Sequence, residues 1–382
     1  MKVLKILIAL YLIITIAITF QSFALGPKTF LEDGEVYTHY NNYIIFKQSF
    51  FHLIENKDLY ILYPEEHWDL YKYSPTFPLF FSVFAVLPDT VGLGLWNLLN
   101  MLLFVAAVYF FPKLDHRQKI IVLLTSFLAA TSSTQNAQCN VMISGLLMIA
   151  FTLMERGKAF WAIFCLVATV YIKIFGIVGF SMLLFYPDKL RYALYAVFWT
   201  VIFLLLPLLV ISPEQLQFLY SSWGNMLFND HSASYGYSVM GWLYNFLGLD
   251  ASKTAVVLAG VLLYLAPLAQ FRKYKYFYFK ALVLCMTLIW VVIFNHKSEG
   301  ATFILPVVGV ALWYALSPKT TINHILFGSV VLLTVISPTD LFPRFLRQQY
   351  LLPYSFNIFP CILVWLKIIW DLFTVPLPDT SP

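Results

Sequence analysis

The sequence predicts an all-α polytopic membrane protein, a helical bundle of about 11–13 membrane helices with a large outer loop after the first helix. The chain has 382 residues, of which 60% are apolar and only 11% are charged, whereas soluble proteins carry about 25% charged residues. Apolar runs recur along its whole length, without the alternation of a membrane β-barrel. Because the backbone must satisfy its own hydrogen bonds inside a bilayer, such runs fold as helices.

Each long apolar run is a candidate membrane span. Seven runs precede the second polar loop, at 4–24, 91–111, 120–133, 141–154, 159–172, 174–186 and 192–211. Five follow it, at 254–270, 281–294, 302–316, 325–336 and 356–370. The first run lacks a good cleavage pattern, so we expect it to be retained as a span. The segment 76–87 is short enough for a half-membrane helix or a span.

The net charge is +5, and the basic residues lie in short clusters between apolar runs. Such clusters orient a protein in the membrane. Because they are not gathered on one face, they argue against a nucleic-acid partner. If the segment 76–87 does not cross the membrane, the positive-inside rule places loops 25–75 and 212–252 and the turn 295–300 together on the outer face. We expect one membrane domain over 1–382, with a first span at 1–24, core spans within 76–211 and C-terminal spans within 253–382. The predicted location is the plasma (inner) membrane, with multiple passes and an active site facing the outside or periplasm.

The first outer loop, 25–75, carries most of the groups that can do chemistry. Its acidic residues are Glu32, Asp33, Glu35, Glu55, Asp58, Glu65, Glu66 and Asp69. The apolar spacing of Tyr43, Phe46, Phe50, Leu53 and Ile54 predicts a helix at 40–54 that lies in the membrane interface. No P-loop, dinucleotide fingerprint, zinc HExxH or nucleophile elbow is present. A carboxylate-bearing outer loop on a helix bundle favours a reaction between lipid-carried substrates, with one carboxylate as general base.

Several short motifs follow one another along the chain. They are Asp33-Gly-Glu-Val-Tyr37, Asp58-Leu59-Tyr60, Tyr71-Lys72-Tyr73-Ser74-Pro75-Thr76-Phe77, Ala137-Gln138-Cys139-Asn140, Lys173 and Tyr237-Ser238-Val239-Met240-Gly241. In order and spacing they resemble motifs of glycosyltransferase family 87, polyprenyl-phosphate-dependent, mannosyltransferase-like enzymes of the GT-C superfamily. The chain departs from the pattern at Ala137, where the family has glycine, and at 295–300, where it has Asn-His-Lys-Ser-Glu-Gly instead of a paired-histidine motif.

The resemblance implies a GT-C-type bundle that transfers a hexose, mannose by default, with inversion. Its partners would be a polyprenyl-phosphate sugar donor, a glycolipid or glycan acceptor and the lipid bilayer. It points to Asp33 as the base, with Glu35 and Asp58 as alternatives. The predicted phosphate-binding residues are Lys173, His296 and Lys297, and the predicted substrate-binding residues are Tyr37, Tyr71, Tyr73, Gln138, Asn140 and Ser238.

Each assignment has a structural alternative. Lys173 can be a snorkelling lysine at a helix end, and Gln138 and Asn140 can cap or join helices. We expect no metal and no cofactor, because the loop histidines lack the spacing of a zinc pair. Weak dependence on a divalent cation stays open, since Glu65, Glu66 and Asp69 are oxygen ligands.

Three other functions are compatible with a polytopic chain. A secondary transporter or lipid flippase would carry inverted repeats and polar sites at the bilayer midplane, and neither is evident. A glycan polymerase or ligase with a diphosphate-linked donor would be expected to use outer arginines, and Arg344 and Arg347 are among the few here. A catalytically inactive assembly protein would keep the fold with altered motifs.

Overall fold

The computed structural model describes residues 1–29, 36–229 and 235–374, and this part of the chain is almost wholly helical. The strands β1 Pro27–Thr29 and β2 Val36–Thr38 form an antiparallel pair in which Pro27 is opposite Thr38. The helices are α1 Lys2–Ala24, α2 Asn41–Ile54, α3 Phe77–Ala85, α4 Asp89–Phe110, α5 His116–Gln135, α6 Asn140–Glu155, α7 Ala159–Ile172, α8 Lys189–Leu205, α9 Pro213–Asn229, α10 Val239–Leu247, α11 Lys253–Leu265, α12 Phe277–Ile293, α13 Ile304–Leu316, α14 Thr321–Val330, α15 Arg344–Leu346 and α16 Phe359–Thr374.

Tighter or wider helical segments link or extend these helices. The 3-10 segments are Ile174–Phe185, Leu206–Leu209, Ala266–Ala269, Phe271–Lys273 and Gly300–Thr302, and the π-helical segments are Val331–Ile336 and Arg347–Leu351. The 3-10 segment Ile174–Phe185 is unusually long for its type. It occupies the run that the sequence predicts as the span 174–186.

Length and composition mark several helices as membrane-crossing. Among the described residues, Lys2–Ala24, Asp89–Phe110 and Lys189–Leu209 are each long and apolar enough to span a bilayer. Seven shorter apolar helices of 10–17 residues accompany them. Large apolar side chains of the Lys189–Leu209 helix point outward, and Leu190 and Leu209 are 77% and 76% exposed. Since water would not favour such a surface, it is a lipid-facing one, and the predicted all-α polytopic fold is confirmed.

The core of the bundle is built around α12 and α13, whose side chains are almost all buried. Gly309 permits their close approach, because a Cβ there would lie 2.8 Å from the Cys285 carbonyl oxygen. Gly145 does the same between α6 and α4, where a Cβ would lie 3.0 Å from the Leu103 backbone. Small residues at such contacts are typical of membrane bundles.

The helix predicted at 40–54 is present as α2, but its apolar face packs against protein. Tyr43, Phe46 and Leu53 are at most 1% exposed, and Phe46 contacts the Phe81 and Trp96 rings at 5.4 and 5.8 Å. Protein packing therefore covers these three members of the apolar stripe that the sequence analysis assigned to the membrane interface, whereas Ile54 is 42% exposed. A periodic stripe shows that a face is buried without showing what buries it.

The short segment after the first loop forms α3, Phe77–Ala85, which has nine residues. At 1.5 Å per residue it is roughly half as long as the ~30 Å apolar layer of a bilayer. A helix of this length is too short for a straight span and fits the half-membrane alternative. Thr76 before it is fully buried, and its hydroxyl donates to the Phe203 carbonyl at 2.6 Å.

The second polar loop, 212–252, is not an open loop, since it contains α9 and α10. Helix α9 packs on the first loop, where Ser222 donates to Asp58 at 2.9 Å and the Trp223 indole donates to the Lys72 carbonyl at 3.4 Å. Loops 25–75 and 212–252 and the turn 295–300 lie at one end of the bundle. We call it the loop end. The other end, with the connections 156–158 and 270–276, is the opposite end.

Candidate active site

Three polar residues singled out from the sequence, Gln138, Asn140 and Lys173, meet at the loop end. The Lys173 ammonium donates to Asn140 Oδ1 at 2.9 Å and to Gln138 Oε1 at 3.5 Å. Lys173 follows the last residue of α7 with an extended backbone, φ −139° and ψ 120°, whereas Gln138 and Asn140 lie where α6 begins. The interruption between α7 and the 3-10 segment Ile174–Phe185 thus places the ammonium group at the end of the bundle.

Lys173 is a half-buried cation with neutral partners. Within the described ranges, no carboxylate forms an ion pair with it. A lysine removed from bulk water is costly unless an anion or strong dipoles compensate it. Amide oxygens supply partial charge only, so an additional anion is electrostatically favoured here. Phosphate is such an anion, and lysine binds it as a point charge.

Tyr73 covers this cation from the first large loop. Its ring centroid is 5.7 Å from Lys173 Nζ, within the range of a cation–π contact. Phe77 stacks on the ring at 4.8 Å, and Phe46 meets it edge-on at 4.9 Å. Burial, with the neighbouring Cys139 thiol, raises the pKa of Tyr73 well above its ordinary value. The phenol therefore keeps its proton and can donate a hydrogen bond to an anion.

The turn 295–300 closes the same cluster. The Gln138 amide donates to the Glu299 carboxylate, and the Asn140 amide donates to the Ala301 carbonyl at 3.0 Å. Both contacts span 161 residues of sequence. They bring the turn that carries the predicted cations His296 and Lys297 to the end of the bundle where Lys173 lies.

Asn140 has a positioning role in this arrangement. Its side chain is fully buried, and its amide also donates to Gln138 Oε1 at 2.5 Å. With its oxygen on Lys173, every polar atom of the amide is used inside the protein. Asn140 therefore fixes Gln138 and Lys173 from a buried position, and its substrate-binding role stays a prediction.

The second loop docks on the turn through backbone contacts. The Tyr237 amide donates to the Ser298 carbonyl at 2.9 Å, and the Ser298 hydroxyl donates to the Tyr237 carbonyl. Gly236 has a φ of +55°, and a Cβ there would lie 2.7 Å from the His296 carbonyl oxygen. Only glycine combines this backbone conformation with so close an approach.

Ser238, predicted to contact substrate, caps α10. Its hydroxyl donates to the Tyr235 carbonyl at 2.7 Å and accepts from the Gly241 amide at 3.2 Å. The residue is fully buried. A serine at the N-cap satisfies a helix donor that would otherwise be unpaired, so Ser238 shapes the loop from inside.

Ala137 stands where the motif that it resembles has glycine, and its backbone adopts a conformation that glycine favours. Its φ is +51°, a left-handed conformation that costs an L-residue about 1–2 kcal/mol. The conformation is held by the Trp96 indole, which donates to the Ala137 carbonyl at 2.8 Å, and by Asn42, which donates to the Asn136 carbonyl at 2.9 Å. The strained turn sets the direction in which Gln138 enters the cluster.

Comparison with a model of a known protein family identifies the family of the chain. The model of glycosyltransferase family 87 matches residues 71–294. The chain is a member of glycosyltransferase family 87. It is therefore a membrane glycosyltransferase, which uses a sugar donor and an acceptor. No curated protein matches the chain. The matched region of this family 87 protein begins at Tyr71, includes Gln138 and Lys173, and ends just before the turn 295–300.

The carboxylates proposed as the base differ in what the structure describes of them. Asp33 and Glu35 lie outside the described residues, on the connection between β1 and β2. Asp58 is described, and its carboxylate accepts from the Tyr60 amide at 3.0 Å and from the Ser222 hydroxyl at 2.9 Å. Those contacts join the two large loops, which is a structural task. The choice of Asp33 as base stays a prediction.

The other tyrosines predicted to contact substrate hold the first loop in place. Tyr71 is 2% exposed and donates to the Ser74 carbonyl at 2.8 Å. Tyr37, on β2, donates to the Pro64 carbonyl at 2.8 Å. Tyr71 supports Tyr73 from behind, with their ring centroids 5.7 Å apart. Of the two, Tyr71 is thus connected to the polar cluster.

The acidic residues considered for a cation partly contact basic side chains. Glu66 pairs with His52 at 2.9 Å, and Asp69 pairs with Lys72 at 3.1 Å. Within the described ranges, no group of three or more His, Cys, Asp or Glu side chains is arranged to hold a metal ion. Burial lowers the pKa of His67 despite its contact with the Asp69 carbonyl.

Glu299 is the residue whose role sequence reasoning missed. The sequence analysis lists it only within the turn 295–300 and not among the predicted site residues, yet its carboxylate accepts from Gln138 at the centre of the cluster. The signal available in the sequence was topological, because both 137–140 and 295–300 connect spans at the outer end. Topology could bring the two turns to one end, and packing decides which side chains meet.

Proposed function

We propose that this family 87 glycosyltransferase transfers a hexose from polyprenyl phosphate to a hydroxyl of a glycolipid or glycan, at the outer face of the plasma membrane. Mannose is the default sugar. The observation that carries the proposal is the half-buried Lys173, held by two neutral amides and covered by Tyr73. The anionic phosphodiester of the donor would supply the direct negatively charged partner that Lys173 lacks among the described residues.

A lipid-borne donor suits the position of this cluster. Ile174 follows Lys173 directly and is 47% exposed, and Ile177 one turn later is 58% exposed. These side chains lie on the lipid-facing surface of an apolar segment, so a polyprenyl chain can lie in the bilayer while its phosphate reaches Lys173. A soluble nucleotide sugar would not need an apolar approach.

The reaction is a direct displacement at the anomeric carbon. The acceptor oxygen forms a bond to that carbon as the bond to the phosphate oxygen breaks, and the electron pair leaves on the phosphate. Lys173 stabilises the departing charge, with the Tyr73 hydroxyl, His296 and Lys297 as further donors. The hydroxyl proton passes to a carboxylate, for which Asp33 is our choice. One displacement inverts the anomeric configuration. We expect no cofactor and no tightly bound metal, and weak dependence on a divalent cation stays open.

Sugar transfer in proteoliposomes tests this function. Polyprenyl-phosphate mannose and polyprenyl-phosphate glucose are supplied separately with a native lipid extract as acceptor source. We expect transfer by the wild type, and a loss of about 10²–10⁴ in rate for Asp33→Asn, the size of a general-base contribution. Glu32→Gln is the matched control, since it removes the neighbouring carboxylate.

The outcomes separate the enzyme class from the base. Transfer that survives in Asp33→Asn and disappears in Glu35→Gln or Asp58→Asn would move the base. Failure of the folded wild type to transfer from either donor would contradict the polyprenyl-phosphate proposal. Glucose transfer without mannose transfer would correct the sugar alone.

A further inference from the structure

A cleft beside the polar cluster is separate from the residues that the sequence analysis chose. It has a volume of about 410 Å³, within the range of small-molecule sites. Three parts of the chain line it: the second loop with α10, the turn 295–300 and the connection before α16. The lining residues are Tyr235, Gly236, Tyr237, Tyr244, Asn245, Ser298, Glu299, Leu352 and Ser355.

The chemistry of the cleft favours a neutral polyhydroxy ligand. Among the residues that the structure describes, its lining has three tyrosines, an asparagine, two serines and one carboxylate, and no lysine or arginine. A phosphate would find no cation in this lining, in contrast to the Lys173 cluster. Sugar rings have an apolar C–H face that packs on an aromatic ring, and a rim of hydroxyls that pairs with amides and carboxylates.

The aromatic side of the cleft is held in place before any ligand binds. The Tyr235 and Tyr244 rings lie 4.8 Å apart at 34°, and Lys253 Nζ is 4.8 Å from the Tyr235 centroid. The Tyr235 hydroxyl donates to the Asp250 carboxylate. On the other side, Asn245 donates to the Ser355 hydroxyl at 2.9 Å. A ligand therefore loses little free energy to ordering these side chains.

Glu299 joins the cleft to the polar cluster. Its side chain lines the cleft and also accepts the hydrogen bond of Gln138, whose oxygen faces Lys173. A hydroxyl of a ligand in the cleft can donate to this carboxylate. Such a hydroxyl would then lie beside the cation that we assign to the donor phosphate.

We propose that this tyrosine cleft binds the glycan portion of the acceptor, with Tyr244 as a stacking surface and Asn245 and Glu299 as hydroxyl partners. The proposal rests on the function above and adds to it where the acceptor lies. It makes Glu299 a positioning residue for the acceptor, distinct from the base.

Saturation-transfer NMR tests the cleft without requiring turnover. The probes are two neutral oligosaccharides, mannotriose and maltotriose, added to full-length protein in nanodiscs, because maltoside detergents would themselves compete. We expect saturation of at least one probe by the wild type and a two- to tenfold weaker affinity in Tyr244→Ala, the size of one aromatic contact. Tyr350→Ala is the control, since Tyr350 is 52% exposed at the same end and does not line the cleft.

Each result of the binding experiment supports or overturns the acceptor assignment. Equal binding by Tyr244→Ala and the wild type, or no saturation of either probe by the wild type, would overturn the acceptor assignment. Lys173→Met should bind the probes as the wild type does. If the probes bind through Tyr244 but no sugar transfer occurs from polyprenyl phosphate, the proposed donor fails and the carbohydrate cleft remains.

Discussion

Lysines at the two ends of the bundle are stabilised differently. At the opposite end, Lys280 pairs with the Glu155 carboxylate, and Lys273 donates to the Leu372 and Phe373 carbonyls at 2.8 and 2.9 Å. At the loop end, the hydrogen-bond partners of Lys173 within the described residues are two amide oxygens of neutral side chains. Lys280 thus has a carboxylate partner inside the fold, whereas Lys173, like Lys273, has neutral oxygen partners among the described residues. Of these two, it is Lys173 that lies at the end of the bundle to which we propose to assign the donor phosphate.

The opposite-end ion pair should give the largest change in stability. Lys280 and Glu155 are 11% and 12% exposed at their side chains, and the Tyr186 hydroxyl also donates to Glu155 at 2.6 Å. Lys280→Met leaves a buried carboxylate without its cation, which costs about 3–5 kcal/mol. Unfolding of the purified protein in SDS measures this loss. The double variant Lys280→Met with Glu155→Gln should recover most of it, and no recovery would show that packing, not charge, sets the cost.

Lys173→Met should lower the rate of sugar transfer strongly and change stability little. We expect a decrease of 10²–10³ in transfer rate, about 2.7–4 kcal/mol in the barrier, as for loss of one electrostatic donor. The unfolding free energy should change much less than in Lys280→Met, because Lys173 has no carboxylate partner in the described residues. Rates in proteoliposomes and SDS unfolding are measured on the same samples. A Lys173→Met protein as unstable as Lys280→Met would make Lys173 a structural lysine.

Substitutions at Ala137 test how much the left-handed backbone before Gln138 contributes to stability and activity. Glycine removes about 1–2 kcal/mol of left-handed strain, offset by about 0.4–1 kcal/mol of unfolded-state entropy and about 0.8 kcal/mol for the buried methyl. Ala137→Gly should therefore stay within about 1 kcal/mol of the wild type and keep its activity. Ala137→Val adds a β-branched side chain to a buried position at φ +51° and should lose both stability and transfer. Equal effects of the two would exclude backbone strain as the cause.

His67 gives the smallest expected effect, a dependence on pH confined to the first loop. Its folded pKa is lowered below 6.5, chiefly by burial, while Glu66 and the Asp69 carbonyl oppose the shift and His52 adds to it. The neutral form favours the fold, so its stabilisation is present above about pH 6.5 and is lost as the pH falls through the lower, folded value. The thermal unfolding temperature should decrease less between pH 7.5 and pH 5 in His67→Gln than in the wild type. If the unfolding temperatures of the two proteins depend on pH in the same way, His67 does not cause the pH dependence.

Local features of the fold were predictable from the sequence. The predicted span 159–172 coincides with α7, and the break at Lys173 follows from a cation between two apolar runs. The helices α9 and α10 were missed within 212–252, because their mixed aromatic and polar composition resembles an interfacial loop. The burial of α2 was missed because apolar periodicity is the same whether protein or lipid covers the face.

The site was predictable only in part. Motif order placed Lys173, Gln138 and Asn140 among the important residues, and topology placed them at one end with the turn 295–300. The contact between Gln138 and Glu299 depends on packing between helices far apart in sequence. The buried positions of Asn140 and Ser238 likewise follow from tertiary contacts that no local pattern contains.

Binding of polyprenyl phosphate, without a sugar, tests the central claim most directly. The wild type, Lys173→Met and the double variant Lys280→Met with Glu155→Gln are compared in nanodiscs by microscale thermophoresis. We predict similar affinity for the wild type and the double variant, and at least tenfold weaker binding for a folded Lys173→Met. Equal affinity in all three proteins would contradict the assignment of the donor phosphate to Lys173.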